Sequence, residues 1–219
     1  MRLALLLLSA ASLPAQSLST SSHPAPSLRT ESFEAFGHRW LVPAAADWKL
    51  NGPVLELLTP RPSTQPRRPT QYALADTPDF VRGVIELEMK KEPASLRNRR
   101  TSLMIAYAWR GDNHFNYAHL SVDTAIEQPV HNGIFHVYGG DRVRISPLDG
   151  PATLPDEEWH KVKLVYDSTK GLAEVYVDGK TSPALRAIDL SLGPGKFGIG
   201  SFFDLGAFRN VRIAGEPVK

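Results

Sequence analysis

Tyr117, His119 and Ser121 alternate with Ala118, Leu120 and Val122, the period of two that sends successive side chains of a strand to opposite faces. If the apolar set fills a core, the phenol, imidazole and hydroxyl share the other, open face. A second segment repeats the pattern: Phe135 and Val137 suit the core, which leaves His136 and Tyr138 for the open face, with His131 and Asn132 just before them and Arg142 just after. An imidazole exchanges protons near neutral pH, so His119 and His131 are the candidates for general acid and base. Tyr117, Ser121, Asn132, His136, Tyr138 and Arg142 are the candidates for substrate contact, because aromatic rings stack on C–H surfaces and polar groups hydrogen-bond hydroxyls. That mixture suits a sugar. The competing reading is a solvated polar face on an ordinary antiparallel sheet.

Other residues offer less. Glu86 and Glu88 alternate with Ile85, Leu87 and Met89 and so share one face, where a carboxylate pair competes with a plain wet strand. Asp141, Arg142 and Arg144 can orient a hydroxyl-rich or anionic ligand, or pair with each other in solvent. Trp109 fits a core as well as a site, and His160, beside Trp159, fits a structural role. Four histidines (His114, His119, His131, His136) lie close in sequence, but none has the tight spacing of a zinc site. Asp112, Asp123 and Asp204 are the most that suggests calcium. No metal site and no cofactor are assigned.

The elements that must position these groups are short strands. Val84–Met89, Thr101–Trp109, Phe115–Val122, Trp159–Tyr166 and Leu172–Val177 are strand-like, and turn residues at Arg110-Gly111-Asp112-Asn113 and Asp167–Gly171 imply hairpins. Lys196–Phe202 and Ala207–Ile213 add two more. The stretch Thr59–Pro69 holds four prolines, which can neither continue a helix nor donate to a ladder, so it is expected as an exposed loop. No long apolar pattern of helical period occurs after the first residues. About a dozen short strands spaced by turns specify an all-β, two-sheet antiparallel sandwich.

Met1-Arg2, the apolar run Leu3–Leu8 and the small residues after it have the pattern of a signal peptide, with cleavage expected near Ala15. The run is too short to cross a bilayer. Residues 16–31, rich in Ser, Thr and Pro, read as a flexible leader, and residues 32–219 as the folded domain, secreted or periplasmic. The absence of cysteine removes disulfides, thiol nucleophiles and Cys-ligated zinc, so stability rests on core burial. A net charge of +2, with short basic clusters at Arg67-Arg68 and at Arg97, Arg99 and Arg100, argues against nucleic acid as a partner. No membrane partner is expected.

Glu157–Asp167 followed by Ala173–Gly179, and Phe197–Phe202 before Phe208–Ile213, resemble the paired strands of laminin-G-like and concanavalin A-like lectin/glucanase domains. Asp47–Leu55 and Asp79-Phe80 leading into Ile85-Glu86-Leu87 are similar to the 3-keto-disaccharide hydrolase family. The resemblance implies a jelly roll whose concave face carries a carbohydrate ligand. It also implies either hydrolysis of a glycan or modified disaccharide, or a non-catalytic lectin-like or protein-interaction module. One departure matters: the Glu-x-Asp-x-x-Glu strand of laminarinase-type enzymes has no counterpart here. The nearest stretch, Glu86–Glu92, lacks the Asp and has the wrong spacing.

Overall fold

The protein is described by a computed structural model covering residues 31–62, 64–92 and 101–219. The expected signal peptide, the leader as far as residue 30, and Arg97, Arg99 and Arg100 lie outside the described residues. Among those described, fifteen strands form two antiparallel sheets. Sheet A runs in the order β1 (Glu31–Ala35), β2 (His38–Val42), β5 (Gln71–Ala75), β14 (Lys196–Ser201), β7 (Ser102–Gly111), β8 (His114–Ser121), β9 (Gly133–Tyr138) and β10 (Val143–Arg144). Sheet B runs β13 (Leu185–Ile188), β12 (Leu172–Val177), β11 (His160–Asp167), β6 (Phe80–Lys91), β15 (Gly206–Pro217), β4 (Val54–Leu57) and β3 (Trp48–Asn51). The first strand includes Glu31, one position before the expected domain start.

Alternation forms these strands as the sequence requires. On β6, Ile85, Leu87 and Met89 point inward while Glu86 and Glu88 point out. The β11–β12 hairpin turns where Asp167 Oδ1 accepts hydrogen bonds from the Thr169 amide (3.0 Å) and hydroxyl (2.6 Å), and Gly171 takes the left-handed φ of +61° beside the Asp189 backbone. The inner faces of the two sheets meet in one core. Ile105, Ala118, Leu120, Ile134 and Ile199 of sheet A pack with Ile85, Leu87, Leu164, Val175 and Phe208 of sheet B. Tyr107 and Tyr166 bring their rings to 4.9 Å across the interface.

The middle of sheet A is buried on its other face as well. Leu74, Met104, Ala106, Trp109, Phe115, Tyr117, Phe135 and Val137 form a second apolar cluster there, in which Trp109 stacks on Phe115 at 4.1 Å. The proline-rich segment is a loop with mostly exposed residues, as expected, but it is strapped down. Arg61 pairs with Asp47 through Nη2–Oδ1 at 2.6 Å, the Gln71 side chain donates to the Thr59 carbonyl, and Arg67 is tied by its backbone to Asp141 (2.6 Å) and Arg142 (3.0 Å).

The close approach of β14 to β5 gives a direct test. A methyl group at Gly200 would meet backbone atoms, the Gln71 carbonyl and Tyr72 Cα (2.9 Å), none of which is a flexible side-chain tip. Gly200→Ala is expected to cost about 1–3 kcal/mol, read as a lower denaturation midpoint with an unchanged m-value. A midpoint equal to that of the unsubstituted protein would contradict this packing.

Candidate functional site

The pairing of β8 with β9 decides which candidates meet. Tyr117 lies opposite Phe135 and His119 opposite Gly133, whereas Asn116 lies opposite His136 and His114 opposite Tyr138. Residues directly opposite in an antiparallel pair share a face. Tyr117, His119 and Ser121 therefore point away from the inter-sheet core, as expected, and Phe135 and Val137 join them there. The expectation that His136 and Tyr138 share a face with Tyr117 and His119 is corrected, because this register turns them to the opposite side of the sheet. His136 Nδ1 sits 2.7 Å from Asp189 Oδ2 and 2.9 Å from Asn116 Oδ1. Tyr138 is exposed and meets His114 edge to face at 4.6 Å.

A second correction concerns openness. The face carrying Tyr117, His119 and Ser121 is not wet: Tyr117 and Ser121 are 0% exposed and His119 is 1% exposed. Each is held by protein partners. Arg142 lays its guanidinium over the rings of Phe202 (4.4 Å) and Phe135 (4.9 Å) and donates to the Tyr117 hydroxyl at 3.0 Å. His119 Nδ1 lies 3.2 Å from the Val130 carbonyl. Its Nε2 lies 2.7 Å from Ser102 Oγ, which in turn lies 3.1 Å from Asp204 Oδ2. His131, half-buried, stacks on His119 with ring centroids 5.8 Å apart. Asn132 is buried, its amide donating to the Pro151 carbonyl (2.6 Å) and accepting from Thr153 Oγ1 (2.8 Å). Arg144 is occupied by the carbonyls of Asn132 (2.7 Å) and Ser146 (2.9 Å).

Electrostatics follow from this burial. Removal from water holds the His119 imidazole well below its ordinary value, and Arg142 and His131 push in the same direction. Burial raises the Asp204 carboxyl, against the hydrogen bonds from Ser102, and pushes the Tyr117 hydroxyl up. His119 is thus a neutral imidazole. It has proton-exchange chemistry but no path to solvent in this arrangement. His160 is structural, clasped between Asp178 (2.9 Å) and Asp156 (3.0 Å), and Trp109 belongs to the second cluster. Among the described residues, no group of three or more His, Asp or Glu side chains is placed to hold a metal. Asp112 instead accepts from the Tyr72 hydroxyl at 2.7 Å.

Open chemistry lies on the outer face of sheet B, where Glu86 and Glu88 of the alternating strand are joined by Lys161, Lys163, Tyr176 and Arg212, which the sequence pattern had not singled out. Glu86, Glu88, Lys161, Lys163, Tyr176 and Arg212, with Lys180 and Asn210 at the margin, line a groove of about 530 Å³. Cross-strand register arranges them in rows. Tyr176 of β12 faces Lys163 of β11, which faces Glu86 of β6, which faces Arg212 of β15. Lys161, Glu88 and Arg209 form the next row. Between Arg209 and Arg212 the β15 register shifts by a bulge, and Asn210 there has φ +55°. Its amide donates to Glu88 Oε1 at 3.1 Å while Arg209 Nη2 holds Oε2 at 2.6 Å. The Arg209 hydrogen bond keeps the Glu88 carboxyl below its ordinary value. Glu86 and Glu88 do share a face, but Glu88 is a fixed anion rather than a proton donor. The alternation of Lys161 and Lys163 with buried Val162 and Leu164 was the signal that could have located this groove.

No protein-family profile matches the sequence, and no curated protein matches it. Solved structures share the architecture, two of them as follows. Carbohydrate-binding module CBM66 from Bacillus subtilis aligns with a TM-score of 0.56 and 14% identity, over 77% of this chain and 91% of that one. The exoplasmic/lumenal domain of VIP36, in a Ca²⁺/Man3GlcNAc-bound form, aligns with a TM-score of 0.50 and 13% identity, over 79% of this chain and 83% of that one. At such identities the likeness establishes the fold, a lectin-type β-sandwich, which is also the fold implied by the concanavalin A-like resemblance.

The burial of His119 sets a pH dependence. Its folded-state value is depressed, so the unfolded chain binds the extra proton first, and the stability this site contributes is present above about pH 6.5 and is lost as the pH falls towards the folded value. The raised Asp204 carboxyl acts in the opposite sense. His119→Gln removes one titration alone, and it is expected to flatten the loss of stability between pH 7 and 5 by up to about 1.4 kcal/mol per pH unit. An unchanged slope in urea denaturation at several pH values would contradict the neutral, buried assignment.

Proposed function

We propose that this chain is an exported, non-catalytic glycan-binding module whose ligand lies in the groove on the outer face of sheet B. The observation that carries the reading is that this groove combines an aromatic side chain, Tyr176, with the exposed carboxylate of Glu86 and the exposed cations Lys161, Lys180 and Arg212. The phenol and imidazole at Tyr117 and His119, in contrast, are already satisfied inside the protein. Polyhydroxylated ligands need donors and acceptors together, and the rows of Glu and Lys supply both. The lectin-type fold supports the same reading, as do the names of the two structural neighbours. Export is supported by the signal-peptide pattern of Met1–Ala15.

Hydrolysis of a glycan or modified disaccharide is the second reading. It is favoured by the 2.7 Å contact between Ser102 Oγ and the neutral His119 imidazole, with His131 stacked alongside. It requires the Arg142 side chain to swing off Phe135 and Phe202 so that substrate reaches the ring.

Calorimetric titration against a panel of oligosaccharides separates the two. Tyr176→Ala is expected to weaken binding about tenfold or more, equivalent to about 1.4 kcal/mol, with no reducing sugar released by either protein. Ile126→Ala, at a residue exposed elsewhere, is expected to leave affinity unchanged. Turnover that disappears in the His119→Ala, His131→Ala double variant would instead establish the second reading.

A further inference from the structure

The groove on sheet B is not electrically balanced. In one row Glu86 stands between Lys163 and Arg212, and in the next Glu88 stands between Lys161 and Arg209. Each carboxylate is thus flanked by two cations, and each row keeps one positive charge in excess. Lys180 adds another at the margin. Glu88 spends its hydrogen bonds on Arg209 and Asn210, so its single negative charge, felt by Lys161 as well, is shared between two cations. Lys163 holds its ammonium 4.9 Å from the centre of the Tyr176 ring, and the Tyr176 hydroxyl is fixed by donating to Glu174 at 2.9 Å. That cation is positioned over an aromatic face rather than free in water, which lowers the cost of handing it to an anion. The bulge at Asn210 places one more residue on the rim without breaking the rows.

From this geometry we infer that the groove selects an acidic glycan, one whose sugar units carry carboxylate or sulfate groups among their hydroxyls. The inference rests on the glycan-binding reading and names the ligand class for that same site. The surplus cations of the two rows receive the anionic groups, and Glu86, which faces the groove in the same row, accepts hydrogen bonds from hydroxyls. A uniformly anionic polymer such as single-stranded DNA is a poorer match, because it offers few hydroxyl donors to that carboxylate and is repelled by it.

The test uses the folded chain in calorimetric titrations with tetragalacturonate, a heparin-derived tetrasaccharide, neutral cellotetraose and oligothymidylate. At least one acidic tetrasaccharide is expected to bind about tenfold or more tighter than cellotetraose, with the advantage shrinking as salt rises from about 0.05 to about 0.3 M. The Lys163→Gln, Arg212→Gln double variant is expected to lose that preference. Glu86→Gln is expected to have the opposite sign and strengthen binding of the acidic sugar. Equal affinity for neutral and acidic sugars would overturn the charge assignment while leaving the glycan-binding reading in place. Oligothymidylate binding as tightly as the uronate would overturn it too, by showing charge without sugar recognition. Failure of every sugar to bind would overturn both.

Discussion

The register of Ala118 between Ile105 and Ile134 is the constraint on which the rest depends. These three residues face sheet B inside the core, and the pleat then leaves no freedom about where their neighbours point. Tyr117 and His119 must lie on the outer face of sheet A, together with Phe135 and opposite to His136. A slip of one residue would exchange every one of these assignments and would carry Ala118 and Ile134 out of the core. Hydrophobic burial in the sandwich thereby fixes the polar architecture on both of its outer faces.

The fold was legible because its signals are local. Ile85-Glu86-Leu87-Glu88-Met89 alternates as a strand with one wet face and Asp167–Gly171 has the residues of a turn, so a two-sheet sandwich followed from the sequence, although β6 begins four residues before, and β15 ends four residues after, the stretches that marked them. The candidate site was less legible, for two physical reasons. Alternation says that Phe135 and His136 face opposite ways, but it does not say which of them faces the partner sheet; that depends on pairing with Tyr117, a long-range fact. Alternation also does not distinguish a wet face from a second apolar layer. The clue lay in β7, where Leu103–Trp109 runs apolar without interruption, as a strand buried on both faces does. Such a strand makes an open, solvated surface beside it implausible, and Tyr117 and His119 are its neighbours.

The two outer faces consequently differ in chemistry. On sheet A, aromatic rings, the Arg142 guanidinium and the Ser102–His119 contact are satisfied by one another, and their burial keeps the imidazole neutral. On sheet B, Glu86, Lys161 and Arg212 project outward from the ladder, with Lys180 at its margin, and keep their capacity for partners from solution. In the proposed function, recognition depends on the second face, while the groups of the first are taken up inside the protein. Under that proposal, a fold shared with carbohydrate-binding proteins carries its ligand groups on residues that no glucanase-like motif would reveal.

The division can be measured directly by amide chemical-shift mapping during titration with an oligosaccharide that binds. The account predicts that the largest changes fall at Lys161–Lys163, Tyr176 and Asn210–Arg212, with the amides of Tyr117–Ser121 nearly unmoved. Largest changes at Tyr117–Ser121 and His131–Phe135 would contradict it and return the site to the outer face of sheet A.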